Sequence, residues 1–223
     1  MAAKDFSPST PRDFWVRFVM AGIGITISMV GTCFITLSGT GPPPVSSPVW
    51  VATLMGGLSF GGWTFVINML FIAAQLALLR SQFPRVGWLQ IPAVLLAGAS
   101  LDIGMYVFGW AANERYILNL MLLCCGILVL GFGISLVATS DVIYLPGEGV
   151  VAAIAKVSNR PFHSVKLFFD ASCVITACAM SFLAFGRLDG VREGTIISAM
   201  LLGPTVRMFV PVAKQLLHLA GRV

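Results

Sequence analysis

Few side chains in this sequence could do chemistry, and most of those lie inside apolar stretches. Asp102 is the clearest, in "LAGASLDIGMYVFGW" (96–110), with Tyr106 one turn on. A charge at membrane depth costs about 3 kcal/mol on insertion scales, so it is a functional candidate by default. Asn68 sits in a second apolar run, with Gln75 seven residues later on the same helix face. Asp170 follows Lys166 by four residues, a spacing at which opposite charges neutralise each other. Glu148 lies between two glycines in "LPGEG" (145–149), and Arg207 lies within the last apolar run. Carboxylates and amides among apolar helices suit binding of a cationic or zwitterionic solute, or proton coupling. They suit helix-to-helix hydrogen bonding equally well.

Catalysis finds no support. There is no HExxH or phosphate-binding loop, and His163 and His218 lack ligand-spaced partners. The expectation is a protein that is not an enzyme, with no catalytic residues, metal or cofactor. The five cysteines all lie in apolar runs and read as packing residues in a reduced setting.

The elements that must position these groups follow from composition. Only 10% of residues are charged and 57% are hydrophobic, against about 25% charged in a soluble domain. Lipid is therefore the main solvent, and the net charge of +5 reads as basic loops rather than a nucleic-acid surface. Six runs are long enough to span: roughly 15–37, 60–80, 88–110, 116–138, 166–186 and 194–213. The first is too long for a signal peptide and has no cleavage pattern, so it reads as a retained helix. Eleven Lys and Arg fall on the side of the termini and three on the other, which puts both termini in the cytoplasm. All five tryptophans lie near span ends, as an aromatic belt requires.

An internal repeat organises the spans. "GIGITISMVGTCFITLSGTG" (22–41) aligns with "GFGISLVATSDVIYLPGEG" (131–149), and "SFGGWTFVINMLF" (59–71) with "PFHSVKLFFDASC" (161–173). The expected fold is an all-α membrane protein of two inverted three-helix repeats, 14–112 and 113–214. Cytoplasmic tails 1–13 and 215–223 flank them. Each repeat carries a G-x-G break and a short amphiphilic segment after its first helix. Gly41 belongs to the first break, and Gly147 and Gly149 to the second. Three spans per unit force the second copy to be inverted, the arrangement that secondary transporters rock around a midplane site. The expected ligand set is Asn68, Asp102, Tyr106, Glu148 and Asp170 with Gly41, Gly147 and Gly149. Glycine-rich faces on the first and fourth spans suit close packing, within the chain or against a second copy or partner subunit.

Four stretches carry a resemblance: "LSFGGWTFVIN" (58–68), "FPRVGWLQIP" (83–92), "LPGEG" (145–149) and "GVREGTIISAMLLGP" (190–204). Together they resemble the YczE/YyaS/YitT group of bacterial integral membrane proteins, over nearly the whole chain after residue 14. The resemblance implies a bacterial inner-membrane location and a shared fold, and transfers no site. Three functions stay open: binding or transport of a small solute, a non-transporting partner, assembly or resistance factor, and the membrane subunit of an ATPase-driven importer.

Overall fold

The computed structural model describes residues 11–222; Lys4 and most of the expected N-terminal tail lie outside it, as does residue 223. Among the described residues every regular element is helical. The helices are α1 (Pro11–Leu37), α2 (Ser47–Met55), α3 (Phe60–Leu79), α4 (Gln90–Phe108), α5 (Tyr116–Ser140), α6 (Pro146–Ser158), α7 (Phe162–Phe185) and α8 (Glu193–Arg222). Six helical stretches are long and apolar enough to cross a membrane: 13–37, 60–82, 86–111, 116–140, 162–185 and 193–220. They match the six expected spans within a few residues, except that α8 runs on through positions 215–222 without a break at Pro204 or Pro211.

The core is the antiparallel crossing of α1 and α5. Their pairing runs from Met20 beside Leu136 to Ile35 beside Leu123. Glycine permits it: a Cβ on Gly24 would stand 2.9 Å from the Gly133 carbonyl oxygen, and one on Gly126 would stand 2.9 Å from that of Gly31. α1 buries Ser28, Thr32 and Thr36 at this face. Each hydroxyl donates to the carbonyl four residues earlier, so none is left unsatisfied in lipid. Around this pair, α4 packs on α1 and α8 on α5, while α2 packs on α7 and α6 on α3. Arg17 donates to the Ser140 carbonyl at 3.3 Å, so the start of α1 and the end of α5 share one end of the bundle.

The second helix break differs from expectation. After α1, Gly39 (φ 66°) and Gly41 (φ 101°) take backbone angles that favour glycine, and the chain turns there into α2. After α5 the break falls earlier, at 141–145, with Asp141 left-handed at φ 54°. Gly147, Glu148 and Gly149 are instead in the first turns of α6. Pro146 explains the shift: its fixed φ and missing N–H suit the first helical position, and the Glu148 carboxylate favours the positive end of the new helix.

Candidate functional site

The expected site residues separate into two regions. Asp102 lies in α4 six residues before its end, and its carboxylate closes the start of α3. Ser59 Oγ donates to Oδ2 at 2.7 Å, and the Gly61 N–H donates to Oδ1 at 2.8 Å. Ser59 also caps its own helix by accepting from the Gly62 N–H at 3.0 Å. The positive end of α3 thus faces a fixed negative charge. Close approach makes this geometry: a Cβ on Gly98 would stand 2.9 Å from the Gly61 carbonyl oxygen. Tyr106, one turn on from Asp102, is 90% exposed and makes no hydrogen bond with it. A four-residue spacing shares a helix stripe, and the packed edge of that stripe ends before Tyr106.

Asn68 donates to its own helix, at the Thr64 carbonyl, 2.8 Å away. No hydrogen bond carries it to Asp102 or Asp170. Gly41 lies just past the end of α1 against the start of α8, where a Cβ would stand 2.6 Å from Thr195 Oγ1 and 2.8 Å from the Arg192 nitrogen. Gly194 donates to the Thr40 carbonyl at 2.8 Å, tying the first break to α8.

The second region joins α3, α6 and α7. Lys166 donates to Asp170 Oδ1 at 2.7 Å, the ion pair expected from their spacing. Phe71 of α3 meets Phe169 of α7 edge-on, with ring centres 5.4 Å apart. Gly147 and Gly149 let α6 approach α3, since a Cβ on Gly149 would stand 2.5 Å from Gln75 Oε1. Gln75 and Gln90 exchange two amide hydrogen bonds, at 3.0 and 3.1 Å, and Gln75 also donates to the Pro146 carbonyl at 3.2 Å. Both glutamines are buried. The partly buried Glu148 carboxyl has no hydrogen-bond partner among the described residues. Burial holds it above the ordinary carboxylate range; Lys166 opposes that effect and Asp170 adds to it. Nearby, Tyr144 donates to Asp141 at 3.1 Å.

Glu148, Lys166 and Asp170 therefore act on one another across two helices, two carboxyl groups against one amine. Such a cluster can attract a cation and can take up a proton as its polarity changes. Sequence reasoning missed Gln90, Ser59 and Gly61. Ser59 did carry a signal, as a capping residue type directly before an apolar run.

A family described as "Family of unknown function (DUF6198)" matches residues 15–211. The chain belongs to DUF6198. The DUF6198 match spans all of α2 to α7. Two proteins of Bacillus subtilis (strain 168) are also similar. The uncharacterized protein YyaS is 22% identical over 204 residues, covering 90% of this chain and 95% of its own length. The uncharacterized membrane protein YczE is 22% identical over 164 residues, covering 74% and 71%. The resemblance to the YczE/YyaS group read from the sequence is thereby borne out. No solved structure matches the chain. With six spanning helices and these relatives, this DUF6198 member is an integral membrane protein.

Proposed function

We propose that the protein binds a small cationic or zwitterionic solute where α3, α6 and α7 meet, and moves it across the bacterial inner membrane. The carrying observation is Glu148, a partly buried carboxyl without a hydrogen bond that interacts with the Lys166–Asp170 pair. A group held in that way has free acceptor capacity for an ammonium or a proton.

The packing supports two inverted repeats. α1 and α5 are antiparallel, α4 lies on α1 as α8 lies on α5, and α3 receives α6 as α7 receives α2. The α3–α4 contact has no counterpart of similar size between α7 and α8. On this reading the second half is the freer one, and it supplies Glu148, Lys166 and Asp170. Rocking of such halves about a central axis is how inverted-repeat carriers expose a site alternately.

Thermal unfolding of purified protein against amines, quaternary ammonium compounds and amino acids tests the binding. At least one solute should raise Tm by several degrees in the wild type, and Glu148→Gln should remove that shift. A screen with no stabilising solute, or a shift retained in Glu148→Gln, would remove the proposal. The variant remains informative because it should fold better. With the folded-state pKa raised, proton binding by Glu148 favours the fold fully below about 4.5. That contribution is lost as pH rises through the raised value. Glu148→Gln should therefore unfold at higher temperature than wild type at pH 7.5 and lose the decline in Tm above pH 4.5.

A second reading is that the protein is a non-transporting membrane partner or assembly factor. The Asp102 cap and the Gln75–Gln90 lock favour it, since both use their polar groups to join helices. For orientation, the Lys and Arg bias supports cytoplasmic termini. A cysteine in place of exposed Glu114, between α4 and α5, should react with an impermeant maleimide added to intact cells. Protection there, with labelling of a cysteine at Ser81, would reverse the orientation.

A further inference from the structure

α8 exposes most of its length, with only 11% of its most apolar window buried. One side of it packs through Ala213 beside Met20 and Leu136, and through Phe209 against Phe132 with ring centres 5.4 Å apart. On the exposed side stand Arg207, Lys214 and His218. Spacings of seven and four residues return to one helical stripe, so the three basic groups line a strip about 16 Å long at 1.5 Å per residue. None of them has a hydrogen bond or ion pair among the described residues. The one acidic residue of α8, Glu193, is roughly 21 Å upstream on the same scale.

Arg207 is the group that needs a partner. It belongs to a spanning stretch, and Pro211 supplies no N–H to the carbonyl of residue 207, leaving a second polar group at the same level. An unneutralised guanidinium beside an unpaired carbonyl is costly in hydrocarbon. Long side chains reduce that cost by reaching toward the headgroup layer, and Lys214 and His218 lie in that direction, toward the end where α8 meets the start of α1.

We propose that this strip binds the headgroup of an anionic phospholipid, its phosphate bridging Arg207 and Lys214 and its acyl chains lying along α8. Charge complementarity selects the occupant. The strip is uniformly basic, it has no acidic neighbour on its own helix, and apolar side chains surround it, including Met208, Val212 and Leu216, all exposed. A soluble anion would satisfy the charges and leave those apolar groups uncovered; an anionic lipid satisfies both.

The test is native mass spectrometry and thermal unfolding of the full chain in detergent, with added phosphatidylglycerol, phosphatidylcholine or inorganic phosphate. Wild type should retain phosphatidylglycerol about fivefold over phosphatidylcholine and gain several degrees in Tm from it, with no gain from inorganic phosphate. Arg207→Gln with Lys214→Gln should bring the two lipids level, Lys214→Gln alone should lower the preference in part, and Arg207→Lys should keep it. Equal retention of both lipids by the wild type would overturn the proposal. So would a preference that survives Lys214→Gln undiminished, or equal stabilisation by inorganic phosphate. A dimer that dissociates on Arg207→Gln would also overturn it, by assigning the strip to a second copy of the chain.

Discussion

Gly31→Leu should leave no folded, monodisperse protein on size-exclusion chromatography, whereas Gly39→Ala, at a position with open space around it, should still fold. A Cβ at position 31 would run into the Leu130 backbone nitrogen and stand 2.7 Å from Leu130 Cα and 2.8 Å from the Gly126 carbonyl oxygen. All three are backbone atoms of α5, so no rotamer change relieves the contact. Either the helices separate or the variant does not assemble. Overpacking in a soluble core typically costs about 1–3 kcal/mol for extra methylenes. Here the whole helix pair must move. In lipid no hydrophobic gain offsets the lost packing, because the tails are as apolar as leucine. Gly126→Leu should fail in the same way, since its Cβ would stand 2.8 Å from the Ile35 nitrogen.

Asp102→Ala should lower unfolding free energy by about 2 kcal/mol, and Asp102→Asn by clearly less, as read by chemical denaturation in detergent. Hydrogen bonds to a charged group are worth about 1.5–3 kcal/mol. Alanine removes two acceptors, one for Ser59 Oγ and one for the Gly61 N–H. Asparagine keeps one oxygen for the Gly61 N–H and loses the charge that complements the start of α3. The Ser59 side of the cap is exposed, which holds the loss to the lower part of the range. Equal stability of all three proteins would mean that the cap contributes nothing. Solute binding is expected to survive in Asp102→Asn, because Glu148, Lys166 and Asp170 lie on other helices.

The spans were legible because a lipid environment imposes one rule on every residue of a crossing helix, and hydropathy reports that rule directly. The Lys166–Asp170 pair was legible because it lies within one helix, where spacing fixes distance. The partners of Asp102 were not, since Ser59 is 43 positions away and only the approach of Gly61 to Gly98 brings them together. That Tyr106 stands away from Asp102 was hidden for a related reason. Periodicity says which residues share a stripe and is silent on how far the neighbouring helix extends along it. The second break was misread because two glycines look like a turn, yet Pro146 before them starts a helix that tolerates both. Gln75 drew notice alone, while its partner Gln90 sits at a helix start where polar residues are common.

The crossing of α1 and α5 also bears on how the chain is made. Gly31 and its partner Gly126 are separated by about 95 residues, so at 5–20 residues per second α1 waits roughly 5 to 20 s in the bilayer before α5 is synthesised. Its bare glycine face can meet other helices during that interval. The three hydroxyls of α1 are already bonded within the helix, so the waiting helix shows lipid no unsatisfied side-chain group on that face. Its own internal bonds thus shelter a nascent segment whose native neighbour does not yet exist.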